Sequence, residues 1–231
     1  MADPLGQAIH DYHFRNHPGK LWIHNMYGSK EEMPVSAYFR PPSQFHELEA
    51  IAVERCVGHV LDIGAGAGAH ALYLQEIMSV TALEVSPLSC EVMRDRGVRD
   101  VVNSSINDYS GKQFDTLLLL MNGIGLVETI QGLRTFLPKM KQLVKPAGSM
   151  IFDSSDVAYL YEGEVPAGPP YYGEIAYQYE YKKLLSNWFH WLYVDRSTLA
   201  AIAKESGWKY EFIAEDSHDQ YLARLWPDKK L

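Results

Sequence analysis

The stretch Val60-Leu-Asp-Ile-Gly-Ala-Gly-Ala-Gly-Ala-His-Ala-Leu72 constrains this chain more than any other. A short apolar run ends at Ile63, the backbone turns through Gly64, Gly66 and Gly68, and an alanine- and leucine-rich helical pattern follows. Without Cβ atoms a glycine backbone takes left-handed dihedrals and lets a ligand approach closely. The helix that starts there offers unpaired N–H groups and the positive end of its dipole. A strand, a glycine turn and a helix in this order outline a nucleotide-cofactor site. The glycines do not choose the cofactor.

Composition narrows the setting. With 231 residues, 47% hydrophobic and 22% charged, the chain is long enough for a real core and is expected to form a single domain. A net charge of −8 and the lack of a Lys/Arg run argue against phosphate-backbone binding, so no nucleic-acid partner is expected. Two cysteines, Cys56 and Cys90, are too few for a disulfide scaffold. The first residues, Met-Ala-Asp-Pro-Leu-Gly, show no basic-then-apolar leader, and the most apolar run, Thr116 to Val127, is too short to span a bilayer. The expected location is the cytoplasm, with no membrane association.

Residues 1–42 read as polar, aromatic and irregular, broken by Pro4, Pro18, Pro34 and the Pro41-Pro42 pair, and are assigned as an N-terminal lid. His10, His13 and His17 invite a metal site, but a solvated helix start is the simpler reading, and no metal is expected. Ser43 caps a helix to about Cys56. Strands are then expected at 59–63, 80–85, 98–103, 115–121 and 149–153, with helices at 69–78, from Pro87 to about Arg96, and from Leu133 to Val144. Strand and helix alternate, which implies a doubly wound α/β fold with a mostly parallel sheet. From Tyr159 to Tyr193 there are eleven aromatic residues in thirty-five positions. Ile175, Tyr177, Tyr179 and Tyr181 alternate with polar residues as a strand does, and Trp188–Tyr193 reads as its antiparallel partner across a Ser-Asn turn. This aromatic insert, 157–194, lines a substrate pocket, covers a sheet edge or forms a homodimer surface. Asp195 caps a last helix, and Trp208–Ala214 with Tyr221–Trp226 closes the sheet as an antiparallel pair.

Two cofactor readings compete for the glycine turn. Gly-x-Gly-x-x-Ala over Gly64–Ala69 satisfies a relaxed dinucleotide fingerprint. Asp62, however, would place a carboxylate near a pyrophosphate and repel it, whereas it would attract an ammonium or a sulfonium. Glu84, 22 positions further on, can accept hydrogen bonds from a ribose diol in either case.

With Asp62 included, the motif resembles the first motif of the class I S-adenosylmethionine-dependent methyltransferases. The downstream pattern is similar too. Phe114-Asp-Thr-Leu-Leu-Leu-Leu-Met-Asn122 resembles the family's fourth strand, and Leu143-Val-Lys-Pro-Ala-Gly-Ser-Met-Ile-Phe152 its Leu-Lys-Pro-Gly-Gly turn and fifth strand. The resemblance implies a seven-stranded sheet with helices on both faces, a C-terminal antiparallel pair and, here, an added aromatic-rich hairpin. It implies S-adenosyl-L-methionine as cofactor, held by Arg40, Asp62, Gly64, Ala65, Gly66, Gly68, Glu84, Val85, Ser105, Ile106, Met121 and Asn122. Ser105 stands where the family more often has an acid that accepts the adenine amino hydrogen.

Methyl transfer from a sulfonium expels a neutral leaving group, so the work is positioning and water exclusion, and no diagnostic triad is required. Asn122 and His190 are the candidates for a catalytic role; Tyr38, Trp188 and Trp191 are the candidates to meet substrate. Asn122 is not followed by the two prolines and aromatic of enzymes that methylate planar amino groups, and Gly123 and Gly125 leave room beside it. A small-molecule acceptor is the expectation. The alternatives are a non-catalytic cofactor-binding protein on the same fold and a nicotinamide-dependent oxidoreductase.

Overall fold

The computed structural model describes residues 2–15, 19–161 and 164–228. In chain order the helices are α1 (Pro4–Phe14), α2 (Glu47–Glu54), α3 (Ala69–Leu74), α4 (Pro87–Asp95), α5 (Ile130–Leu143) and α6 (Arg196–Glu205). The strands are β1 (Leu21–Asn25), β2 (Glu31–Met33), β3 (His59–Ile63), β4 (Ser79–Glu84), β5 (Val101–Asn103) and β6 (Phe114–Leu119). They continue with β7 (Val144–Ser155), β8 (Glu174–Tyr181), β9 (Leu184–Leu185), β10 (Phe189–Leu192), β11 (Trp208–Glu215) and β12 (Gln220–Pro227). Seven strands form one sheet in the order β11-β12-β7-β6-β3-β4-β5. Within it β4 runs parallel to β5 and β6 parallel to β7, and β12 runs antiparallel to both β7 and β11. This is the expected α/β sheet with its C-terminal antiparallel pair.

The chain divides into two compact units. The first comprises Met1–Phe45, Leu61–Tyr109 and Ala176–Phe189. The second comprises His46–Val60, Ser110–Ile175 and His190–Leu231.

The first unit corrects the reading of residues 1–42 as irregular. Asp3 caps α1 by accepting from Gly6 N at 2.8 Å, and its other oxygen accepts from Ser86 Oγ, the cap of α4, at 2.5 Å. Helix α1 is not solvated on its histidine side: His13 Nε2 lies 2.7 Å from Asp95 and His10 Nε2 3.7 Å from Glu91, both on α4. His17 lies outside the described residues. β1 pairs antiparallel with β2 and with β8, so Ile23 stands opposite Tyr179 and Leu21 opposite Tyr181. The aromatic insert therefore forms a second sheet with the N-terminal segment rather than a lone hairpin. Its turn falls at Lys182, which has φ 55°, rather than at Ser186-Asn187, so β9 also pairs with β8, while β10, in the expected stretch from Trp188, is the neighbour of β8 in the sheet.

One buried carboxylate ties these parts together. Asp11 is 1% exposed and accepts from Gln7 Nε2 at 2.9 Å and Tyr181 Oη at 3.0 Å, with Arg15 at 3.0 Å and Lys182 also paired to it. The Tyr181 hydroxyl in turn accepts from Gly19 N at 3.0 Å. Burial raises the Asp11 pKa, but the donors Lys182, Tyr181 and Gln7 outweigh it and hold the carboxyl below its usual range.

In the second unit, helix α2 begins later than Ser43 because Glu49 closes a capping interaction with His46 N at 2.8 Å; Pro42–Gln44 is a separate 3-10 turn. β7 starts at Val144, earlier than expected, since Phe114 already pairs with Val144 before the register shifts and resumes at Thr116 opposite Ser149. Back in the first unit, β5 begins only at Val101, because Val98 N still bonds Met93 O at the end of α4; in the second, the end of β6 also differs. β6 ends at Leu119, two residues short of the expected Met121, because Met121 and Asn122 turn left-handed at φ 63° and 54°. Asp195 caps α6 as expected, accepting from Ser197 N at 2.8 Å and Thr198 N at 3.0 Å.

Asp11→Ala leaves the Tyr181 hydroxyl and the Lys182 ammonium without their shared acceptor. Urea denaturation is expected to show a loss of about 2–4 kcal/mol at neutral pH. Because the folded carboxyl sits below its unfolded value, the wild-type advantage is present above about pH 4 and disappears as the pH falls through the folded value.

Candidate functional site

Within the first unit, β3 delivers the chain into a turn whose glycines all have positive φ: Gly64 74°, Gly66 57° and Gly68 80°. The turn is pinned from outside. Gly64 N and Ala65 N both donate to Leu83 O, at 2.9 and 3.1 Å, and Gly66 N donates to Glu84 Oε2 at 2.9 Å. A Cβ on Gly68 would lie 2.8 Å from Val98 Cγ2 and 3.0 Å from Met93 Cγ, so this glycine is required for packing helix α3. A Cβ on Gly64 would meet nothing within 4 Å. Gly64 faces open space, where a ligand can approach the backbone.

Asp62 lies two residues before the turn, 2% exposed, and its Oδ2 has no hydrogen-bond partner. Burial raises its carboxyl pKa; the nearby His70 and the Ala71 N–H pull the other way without cancelling it. A buried carboxylate oxygen with no donor is costly unless something cationic arrives to satisfy it. Glu84 is likewise pushed up by burial, although Ser86 N and Gly66 N each donate to it at 2.9 Å. The Val85 N–H also donates to it, and the carboxylate still keeps a lone pair for a diol. The following residue, Val85, is 67% exposed although apolar, and its carbonyl and that of Glu84 accept from Asn103 Nδ2. Ile106 is buried. Ser105 Oγ donates to Asp108 Oδ2 at 2.8 Å and accepts from Asp108 N, which sets an acid three residues after Ser105 in contact with its hydroxyl.

The N-terminal segment reaches this turn. The Tyr38 ring lies on Gly66, its Cδ1 3.1 Å from where a Cβ would be. Its phenol is held far above the usual range by burial, then by Tyr179 and Glu84. Tyr179, which sequence periodicity places on a strand, is hydrogen-bonded to Tyr38, and burial pushes its phenol up to about 12. Both phenols are neutral donors at physiological pH. Arg40 follows directly after the 3-10 turn that carries Tyr38. Arg96 donates to Ala67 O inside the glycine turn and stands 4.8 Å over the Phe39 ring. No sequence motif singles out Arg96; its role is visible only once α4 is folded. Trp188 is 52% exposed.

Within the second unit, Asn122 is held on three sides. Its N–H donates to both oxygens of Asp153 at 2.9 Å, its carbonyl accepts from Trp191 Nε1 at 2.9 Å, and its Oδ1 accepts from Ser155 Oγ at 3.0 Å. Gly125 makes room for the indole, since a Cβ there would lie 2.0 Å from Trp191 Nε1. Trp191 is thus brought to Asn122, while His190, its neighbour on the strand, is exposed. Burial pushes the Asp153 carboxyl up to about 6 despite the Asn122 N–H and Gln220 donors. Among the described residues no group of three or more His, Cys, Asp or Glu side chains could hold a metal ion.

Comparison with known proteins follows the same lines. Residues 61–152 match the family model described as a methyltransferase domain. No curated protein matches the chain. The crystal structure of an S-adenosylmethionine-dependent methyltransferase from Bacteroides fragilis in complex with S-adenosyl-L-homocysteine is 40% identical, with 97% of this chain and 94% of that one covered and a TM-score of 0.90. The structure of the CcbJ methyltransferase from Streptomyces caelestis shares the fold at 13% identity, 81% and 96% coverage and a TM-score of 0.62. A complex of DhpI with S-adenosylmethionine does so at 20%, 83% and 90%, with a TM-score of 0.64.

The open space at Gly64 yields a direct test. Gly64→Ala is expected to cost only about 1–2 kcal/mol in thermal or urea unfolding, for the left-handed backbone alone. Its affinity for S-adenosyl-L-homocysteine, measured by calorimetric titration, is expected to fall at least about tenfold, since the methyl enters the ligand's approach.

Proposed function

This chain belongs to the S-adenosylmethionine-dependent methyltransferases, and we propose that it transfers the methyl group to a small-molecule acceptor. The unpaired, buried Oδ2 of Asp62 carries the reading of the cofactor cradle: it is the acceptor that the ammonium of the methionine moiety would satisfy. Glu84 would hold the ribose diol, and Val85 and Ile106 the two faces of the adenine. The Ser105–Asp108 pair would face the adenine amino group, the hydroxyl relaying the carboxylate's charge.

S-adenosylmethionine supplies an electrophilic methyl on a sulfonium, which departs as a neutral thioether. The chain's own residues do the rest. Gly64, Gly66 and Gly68 shape the backbone cradle, and Arg96 fixes it by holding the Ala67 carbonyl. Tyr38 covers Gly66 and, with Tyr179, shuts water from the turn. Neither phenol serves as a base at neutral pH, so their part is packing and hydrogen-bond donation. Asn122 is proposed to meet the acceptor. With Oδ1 taken by Ser155 and its backbone N and O both bonded, its Nδ2 hydrogens are the groups it still has to offer.

A small acceptor is favoured by the net charge of −8 and by an N-terminal segment built over the cradle rather than a basic groove beside it. Incubation with S-adenosyl-L-methionine and a panel of small acceptors, read as S-adenosyl-L-homocysteine formed, tests this. Turnover on a small acceptor supports the proposal, and turnover only on nucleic acid or protein overturns it. Two variants sharpen the reading. Asp62→Asn is expected to lose tenfold or more in S-adenosyl-L-homocysteine affinity, by about 1.5–3 kcal/mol for a charge-assisted bond. The same variant is expected to melt no lower than wild type above neutral pH. A carboxyl raised by burial stabilises least once pH has risen through its folded value, so removing its charge relieves that cost. Asn122→Ala is expected to lower kcat about tenfold or more on the acceptor found while leaving S-adenosyl-L-homocysteine affinity within threefold.

A further inference from the structure

Two successive non-glycine residues follow β6 in the left-handed region, Met121 at φ 63° and Asn122 at φ 54°. Asparagine tolerates that region, whereas methionine adopts it only at a steric cost. Such strain persists only where the surroundings enforce it. Here the enforcement centres on one side chain. Asp153 accepts the Asn122 N–H on both oxygens at 2.9 Å, is itself 2% exposed, and takes a further bond of 2.6 Å from Gln220 Nε2. Ser155 and Trp191 then hold the side-chain oxygen and the carbonyl of the same residue. A buried carboxylate is a poor stabiliser for a fold that could bond Asn122 N with a neutral oxygen. Its use is to lock a conformation.

We propose that Asp153 is a positioning residue for methyl transfer: ionised, it clamps Asn122 in the left-handed turn with the carboxamide hydrogens presented, and protonated, it lets the turn relax. This rests on the role of Asn122 proposed above, which is tested by activity. The clamp is tested without acceptor, so the two fail separately. The carboxyl is expected to titrate near neutrality because burial pushes it up to about 6 against the Asn122 and Gln220 donors. The titratable groups facing it are Glu49 on α2, whose like charge acts in the same direction, and Tyr221 on β12. The turn after β6 presents the neutral Asn122 to it, and β12 also presents the neutral Gln220.

Trp191 reports on the clamp, since its indole N–H donates to the Asn122 carbonyl. The chain has five tryptophans, so its indole resonance in a proton–nitrogen NMR spectrum is assigned as the one missing from Trp191→Phe. In the full-length wild type this resonance is expected to shift between pH 5 and 8 with a midpoint near 6, and the component with that midpoint is expected to vanish in Asp153→Asn. His190 is adjacent and exposed, and any shift it causes persists in Asp153→Asn. In Gln220→Met, which removes one donor to the carboxylate, the midpoint is expected to rise; this variant decides the matter if Asp153→Asn does not fold. A Trp191 resonance that stays fixed over this range, one that shifts identically in Asp153→Asn, or an unmoved midpoint in Gln220→Met overturns the proposal.

Discussion

A carboxylate oxygen buried without a partner is the constraint around which the cofactor-binding half of this protein makes sense. Asp62 sits at the end of a central strand, and its Oδ2 finds no donor. The turn after it could have been built from residues that supply one. Instead it is built from glycines pinned from behind by Leu83 and Glu84, which leaves open space in front of Gly64. The fold carries an electrostatic cost in the free state that, on the function proposed above, a cationic methionine moiety would remove on binding. Selectivity follows from the sign: the same oxygen would repel a pyrophosphate.

The same logic recurs, with a different device, at Asn122, the residue proposed to meet the acceptor. Asn122 is strained and fully enclosed by bonds to its backbone and to Oδ1, leaving its Nδ2 hydrogens as its remaining donors. A side chain locked in this way loses little entropy when it meets a partner, which is how positioning lowers a barrier without acid or base. The cradle and the turn after β6 are thus both rigid features whose exposed groups are fixed by burial behind them.

What was legible in the sequence is what is local. Asp62, the three glycines and the first helix turn lie within a dozen residues, and Glu84 follows at the end of the next strand, so spacing alone exposed them. Tyr38 was placed among substrate residues, and the structure lays its ring on Gly66. The N-terminal segment reads as irregular because its strands are short, its prolines frequent and its partner distant in sequence: Ile23 pairs with Tyr179. Periodicity carries no trace of such pairing. Arg96 and Asp108 carry no sequence signal for a similar reason, since the one bonds Ala67 O and lies over Phe39 and the other bonds Ser105, and neither belongs to a spaced motif. The end of β6 was placed two residues late because Leu120 and Met121 are apolar, and only the Asp153 bond to Asn122 N reveals why the strand stops.

The central claim is that Asp62 awaits a cation, and proton linkage measures it most directly. Calorimetric titration of the protein with S-adenosyl-L-homocysteine, repeated in buffers of different ionisation enthalpy, reads the protons exchanged on binding. Burial raises the Asp62 carboxyl in the free protein, and an arriving ammonium lowers it, so at mildly acidic pH binding should release protons from wild type, and less from Asp62→Asn. Binding with the same proton release in both proteins, or with undiminished affinity in Asp62→Asn, would contradict the account.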